Sequence, residues 1–257
     1  MVNIYRLKKI VTLEIVILFI LISICIIPFD IRKVEADSPN YLVAYWSFDE
    51  GSGNTAYDGS GNGNDGTIIG TTWSEGIYGK ALYFDGDNDY VNFTSPVLNT
   101  PSYSICAWVK PDSITGGTDM YVIANGGEGG GTGFYINTEW AGGFNGDYQF
   151  GVSKKDIGFR GSASNNPPST NWTFLVGTWD GSSNPSNIKL YVDGVMTATG
   201  IQGTYKDRPE RNLRIGAPSN DENINLGSWI GVIDEVRIYN RVLTDDEIET
   251  LASIMVS

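Results

Sequence analysis

The sequence predicts an all-β chain, a two-sheet antiparallel sandwich with one short helix at its C-terminal end. Three observations carry this. Glycine makes up 32 of 257 residues, aromatics 12% and charged residues only 18%, which suits strands joined by tight turns and is far from the charge-rich, aromatic-poor composition of a disordered chain. Short apolar runs alternate with Gly/Asn/Asp/Ser clusters from residue 42 onward, the pattern of strand and turn. No long segment of 3.6-residue apolar periodicity interrupts them.

Residues 1–36 read as an export segment. Arg6, Lys8 and Lys9 precede a nearly unbroken apolar run from Ile10 to Ile27, and Val34-Glu35-Ala36 fits a small-x-small cleavage site. The alternative is an uncleaved signal anchor, since the run reaches the lower edge of a membrane span. Residues 37–257 then form one domain at the cell surface or outside. Removing the segment leaves that domain more acidic than the whole chain, because Arg6, Lys8, Lys9, Arg32 and Lys33 outnumber Glu14, Asp30 and Glu35.

Strands are expected at 42–48, 80–84, 90–93, 103–110, 121–124, 133–136, 148–152, 172–179, 188–192, 195–199, 213–216 and 229–239. The pair 188–192 and 195–199 is joined by Asp193-Gly194, which supplies the positive-φ residues of a type I′ hairpin turn. The one helix follows Thr244-Asp-Asp-Glu247. There Thr244 is the N-cap, Glu247 completes a capping box, and Leu243 with Ile248 forms a hydrophobic staple. Asp245 and Asp246 stand at the positive end of the helix dipole.

Several functions are excluded at this level. The chain has no histidine, so Ser-His-Asp and Cys-His catalysis and the common His-ligated zinc and iron sites are absent. A net charge of −13 opposes binding to a nucleic-acid backbone. Cys25 lies in the export segment, so the exported part retains Cys106 alone and forms no internal disulfide. Cys106 falls in a strand pattern and reads as a small buried apolar residue.

Four segments carry a family resemblance: Ala44-Tyr-Trp-Ser-Phe-Asp-Glu-Gly51, Asp58-Gly-Ser-Gly-Asn-Gly-Asn-Asp-Gly-Thr67, Gly79-Lys-Ala-Leu-Tyr-Phe-Asp-Gly-Asp-Asn-Asp-Tyr-Val91 and Gly231-Val-Ile-Asp-Glu-Val-Arg-Ile-Tyr-Asn-Arg-Val-Leu-Thr244. With Leu190-Tyr-Val-Asp-Gly194 between them, they resemble the LamG-like jelly-roll domains of the concanavalin A-like lectin/glucanase superfamily. The resemblance implies two curved antiparallel sheets packed face to face. It further implies an extracellular module that binds glycans or proteins, often with calcium.

The carboxylates leave two readings open. Period-two alternation along 229–239 puts Ile230, Val232, Val236 and Ile238 on one face, with Asp234 among them, and turns Glu235, Arg237 and Tyr239 the other way. A buried carboxylate needs a cation or several donors. One reading is a calcium ion held by Asp234 and Asp49, since relatives hold calcium near the terminal strands. The other is Asp234 accepting backbone N–H bonds at a bulge. The loops Asp85-Gly-Asp-Asn-Asp89 and Asp58-Gly-Ser-Gly-Asn-Gly63 resemble calcium loops, but Pro96 and Ile69 occupy the twelfth positions, where an EF-hand needs a glutamate. They read as turns whose side chains bond their own backbone.

Glucanases share this superfamily, and retaining members carry Glu-x-Asp-x-x-Glu or Glu-x-Asp-x-Glu. Neither pattern occurs here, and the adjacent Asp234 and Glu235 face opposite ways, so no catalytic pair is expected. The expected function is a non-catalytic, lectin-like module for a glycan or polysaccharide. The alternative is a protein-binding adhesion or structural module, and a glycoside hydrolase ranks third. Six glycines in residues 126–133 precede Tyr135, Trp140 and Phe144, and these three aromatics are the candidates for lining a loop-edge ligand site. Trp46, Trp108, Trp172 and Trp179 fall within strand patterns and are assigned to the core.

Overall fold

The structure is a computed structural model. It describes residues 40–94, 97–114, 120–125, 132–137, 147–154, 157–160, 162–163, 168–202, 212–219 and 227–254. Residues 1–36, where an export segment is expected, lie outside the described residues. In chain order the strands are β1 (Leu42–Trp46), β2 (Thr55–Ala56), β3 (Gly66–Ile69), β4 (Thr72–Glu75), β5 (Lys80–Asp85), β6 (Tyr90–Asn92), β7 (Tyr103–Pro111), β8 (Met120–Asn125), β9 (Thr132–Asn137) and β10 (Asp147–Gly151). They continue as β11 (Ser153–Lys154), β12 (Ile157–Arg160), β13 (Ser162–Ala163), β14 (Thr173–Trp179), β15 (Ile188–Val192), β16 (Val195–Thr199), β17 (Ile201–Gln202), β18 (Arg214–Ile215) and β19 (Ile230–Tyr239), and the chain closes with helix α1 (Asp245–Ile254).

Two antiparallel sheets dominate. The first runs β16-β15-β14-β7-β19-β5-β4, with β1 also paired to β19, and the second runs β13-β10-β9-β8-β18-β6-β3-β2. A smaller sheet joins β11, β12 and β17. The main core takes side chains from both large sheets, among them Ile105, Leu175, Ile233 and Ile238 from the first and Val91, Ile123, Phe150 and Ile215 from the second. Each such side chain contributes about 1.5–3 kcal/mol when fully buried.

Strand β7 explains a second core. Ile105, Ala107 and Val109 face the main core, whereas Cys106 and Trp108 face outward and are buried as well. A strand covered on both faces needs a continuous apolar run, and Ile105–Val109 supplies one. The outer cover is α1. Leu243, Ile248 and Leu251 join Cys106, Trp108, Phe174, Val176, Tyr191 and Tyr239 in that second cluster.

The local devices fall where the residues place them. Glu247 N–H donates to Thr244 Oγ1 at 3.3 Å and Thr244 N–H donates to Glu247 Oε2 at 2.9 Å, a complete capping box. Arg241 Nη1 also donates to Glu247 Oε2 at 2.8 Å, and this bond is the main cause that pulls the Glu247 carboxyl down to about 2. At the hairpin, Asp193 (φ 51°) and Gly194 (φ 81°) both take positive φ, as a type I′ turn requires.

Candidate functional site

Strand β19 breaks its alternation in the middle. Its register with β7 shifts between Asp234 and Arg237, and Glu235 takes φ 53°. This is a β-bulge, one extra residue that reverses which face the following residues occupy. Ile233, Val236 and Ile238 therefore share the main core, while Asp234 pairs with Trp108 and Arg237 with Cys106, both on the outer face. The uninterrupted alternation expected for this strand is corrected here: Asp234 is fully buried on the side of α1, not among the inter-sheet apolar residues.

Asp234 clamps a loop. Its Oδ2 accepts the N–H groups of Ile77 (2.9 Å) and Tyr78 (3.3 Å), and its Oδ1 accepts the Glu235 N–H at 2.8 Å. Asp49 grips the same loop, its Oδ1 accepting the Lys80 N–H at 2.9 Å. The loop comes close enough for this because residues 76 and 79 are glycines. A Cβ at Gly76 would overlap Asp234 Oδ2, and a Cβ at Gly79 would overlap Asp49 Oδ1.

Asp49 and Asp234 thus both accept backbone N–H groups of the 77–80 segment, and the carbonyl oxygens of Tyr78 and Lys80 lie beside Gly76 with Asp234 Oδ2. Three amide hydrogens point at Asp234. Among the described residues no three His, Cys, Asp or Glu side chains gather as metal ligands. These amide donors are the ones the bulge reading called for. The purified protein is therefore expected to melt at the same temperature in millimolar calcium and in chelator. A calcium-dependent rise would overturn this assignment.

The two acidic loops bond themselves. Asp58 accepts N–H bonds from Tyr45, Ser60 and Asn64 at 2.9–3.0 Å. Asp89 Oδ2 accepts the Asp85 N–H and Asp85 Oδ1 accepts the Asp87 N–H, both at 2.8 Å.

Beside Asp234 lies a buried charge cluster. Glu235 and Arg237 have fully buried side chains, with Arg237 Nη2 2.7 Å from Glu235 Oε2. The Tyr45 hydroxyl donates to both Glu235 carboxylate oxygens at 3.0 Å, and its ring lies 4.2 Å from the guanidinium carbon. Glu235 is thus held by a guanidinium and a phenol, while Asp234 is held by amides.

Of the aromatic candidates, Tyr135 lies on β9 opposite Tyr121 of β8 and Gln149 of β10. Trp140 and Phe144 lie outside the described residues. Trp46, Trp108 and Trp179 are buried, and Trp172, just ahead of β14, is half-buried.

The outer face holds a cavity of about 360 Å³ that no single sequence motif announces. Trp108 and Trp172 form apolar walls, Asp193 and Glu249 bring carboxylates, and Ile77, Ala252 and Ser253 complete the lining. The residues come from the clamped loop, β7, the start of β14, the β15–β16 turn and α1, segments far apart in the chain. The Asp234 bond to the Ile77 amide therefore also positions one wall of this cavity.

The architecture defines a two-sheet antiparallel jelly roll sealed on one outer face by a C-terminal helix. The family described as the concanavalin A-like lectin/glucanases superfamily matches residues 85–249, more than half of the chain, and the chain belongs to that superfamily. Solved structures share the fold. Domain 4 of AbnA, a GH43 extracellular arabinanase from Geobacillus stearothermophilus, in complex with arabinotriose, is 23% identical with a TM-score of 0.58, over 82% of this chain and 98% of that one. The Trypanosoma rangeli sialidase in complex with the inhibitor DANA is 16% identical with a TM-score of 0.56, over 81% of this chain and 32% of its own. The binding domain of Paraclostridial Mosquitocidal Protein 1 is 15% identical with a TM-score of 0.61, over 83% of this chain and 52% of its own. This chain thus spans about a third of the sialidase chain and about half of the latter one. Comparison with curated proteins returns no match.

Proposed function

We propose that this chain is an exported, non-catalytic module that binds a glycan or polysaccharide at the cell surface. The observation that carries the reading is the likeness to an arabinanase domain in complex with arabinotriose, which this chain matches over 98% of that domain's length. Export is supported by the basic, apolar and small-x-small order of residues 6–36. The absence of both retaining-glucanase patterns from the sequence supports a binding role. So does the engagement of Asp234 and Glu235, whose oxygens are taken by backbone amides, a phenol and a guanidinium. Glycoside hydrolysis needs two carboxyl groups flanking a scissile bond, about 5–5.5 Å apart in retaining enzymes.

The test is a glycan and polysaccharide array probed with the purified protein in calcium and again in chelator. Binding that soluble sugar competes away, equal in both buffers, is the expected result. Binding to no glycan, or release of reducing ends from one, would overturn the reading. The second reading is a surface-protein partner. It is favoured by Val195 and Met196, which are 66% and 48% exposed on β16, the edge strand of the first sheet.

A further inference from the structure

We infer that Asn171 is the acceptor of a covalent N-linked glycan, an inference that rests on the export reading. The order Asn-x-Ser/Thr occurs three times in the chain, at Asn92-Phe-Thr94, Asn171-Trp-Thr173 and Asn184-Pro-Ser186. A proline in the middle position disqualifies an acceptor, which removes Asn184. The Asn184 side chain is also engaged, its Oδ1 accepting the Ser186 N–H at 3.1 Å. Two candidates remain, and only the fold separates them.

Asn92 is held in the second sheet. It lies in β6 and is paired on both sides, with Thr67 of β3 and with Arg214 of β18. Its Oδ1 accepts from Arg214 Nε at 3.3 Å. Arg214 is only 7% exposed, with its guanidinium carbon 4.6 Å from the Tyr90 ring and its Nη1 donating to the Pro218 carbonyl at 3.2 Å. A sugar joined to Asn92 Nδ2 would bring its bulk against this packed guanidinium. Parting a buried cation from its acceptors costs folding free energy.

Asn171 is placed differently. It is exposed, in a bend just ahead of β14. The hydrogen bonds it makes among the described residues are those of its backbone: its N–H donates to Ser169 Oγ at 3.3 Å and its carbonyl accepts from Thr173 Oγ1 at 3.4 Å. Its Nδ2 therefore carries a substituent without loss of a contact. Thr173 is 4% exposed and paired with Val109 of β7, so its hydroxyl is open to a transferase only before β14 joins the sheet. Transfer thus precedes folding, as the chain emerges across the membrane. The co-reactant is a lipid-linked glycosyl phosphate. Nδ2 bonds to the anomeric carbon, the bond from that carbon to the phosphate oxygen breaks, and its electron pair leaves with the lipid phosphate. The Nδ2 proton passes to a base of the membrane transferase. Folding then sorts the products. A sugar on Asn171 stays outside, next to half-buried Trp172, and adds a bulky, hydrated cover to the surface. A sugar on Asn92 opposes closure of the second sheet.

The test is expression of the full chain, residues 1–257, in a eukaryotic cell line that makes lipid-linked oligosaccharide. Peptide mass spectrometry is run on protein recovered from the medium, before and after an amidase that releases N-linked sugar and leaves aspartate. Wild type is compared with Asn171→Gln, Thr173→Ser and Thr173→Val. Asn171→Gln changes only an exposed side chain, so it reads the site even if a variant at buried Thr173 folds poorly. The expected result is sugar on the peptide that holds Asn171 and a bare Asn92. The mass increment should be lost completely in Asn171→Gln and Thr173→Val and kept in Thr173→Ser, which retains the hydroxyl. A bare Asn171 in protein recovered from the medium would overturn the site and leave export standing. Sugar on Asn92 of that secreted protein would overturn the argument that selects between the two acceptors. Protein held inside the cell, with neither residue modified, would overturn export and the site together.

Discussion

Replacing Arg237 with methionine is expected to destabilise the fold by about 3–5 kcal/mol, the usual cost of leaving a buried charge without its partner. The guanidinium sits wholly inside the protein, 2.7 Å from the equally buried Glu235 carboxylate. Methionine fills much of the same volume and supplies no charge. Among the described residues Glu235 would then retain only the Tyr45 hydroxyl, which donates to both its oxygens, and one phenol does not offset the desolvation of an anion. Removing both charges should restore most of the loss, since a buried ion pair and a well-packed apolar pair of similar size are often close in free energy. The measurement is urea unfolding of the Arg237→Met protein and of the double variant Glu235→Gln, Arg237→Met. A single variant within about 1 kcal/mol of wild type, inside the range of weak surface pairs, would show that the cluster is not the anchor described here.

The second large effect concerns pH. Burial, and after it the charge of Glu235, pushes the Asp234 carboxyl up to about 8, against the three amide donors that favour its ionised form. In the unfolded chain the same group titrates near the ordinary aspartate value of about 4. Between those two values the folded protein binds a proton that the unfolded chain has released. The stability from this group is thus fully present below about pH 4 and is lost as pH rises through about 8, a change on the order of 5 kcal/mol. Asp234→Asn cannot ionise, so this component of the pH dependence should vanish. The variant should also start lower, by about 1–3 kcal/mol, because an Asn amide group would face the Glu235 N–H as a second donor. Chemical denaturation at pH 5 and pH 8.5 on both proteins checks this. Parallel profiles would mean that Asp234 is ionised throughout the range and that the amide donors outweigh burial and the Glu235 charge.

Both predictions arise from one knot in the fold, and that knot explains the family resemblance. Asp58 of the second matching segment accepts the Tyr45 N–H of the first. Asn62 and Asn64 donate to carbonyls of β1. Tyr45 reaches Glu235 of the fourth segment, Asp234 of that segment holds the loop ahead of β5, and Asp49 holds the first residue of β5 in the third. The most recognisable residues are therefore those that tie the terminal strands together. They specify the sandwich and say little about its ligand.

The sequence by itself determined the fold class, the long strands, the Asp-Gly hairpin and the capped helix. Each rests on interactions within a few residues: alternation along a strand, a turn that needs positive φ, a Thr244 hydroxyl reaching the amide of Glu247. It also narrowed Asp234 to a cation or a set of amides. It did not show the short edge strands such as β4, where Thr72-Trp-Ser-Glu75 has no alternating apolar face, because such strands exist only through their pairing. Nor did it show the bulge at Glu235, since the extra residue is defined against β7 and not along β19. The choice of amides around Asp234 was likewise tertiary, because its donors at Ile77 and Tyr78 lie more than 150 positions away. The cavity is the clearest case. Trp108 and Trp172 read as core and Asp193 as a turn residue, and only the packing of α1 against the outer face of the first sheet brings them together with Glu249 around one space. A pocket assembled from segments this far apart leaves no local pattern, because the burial that creates it depends on which faces the whole fold leaves to be covered.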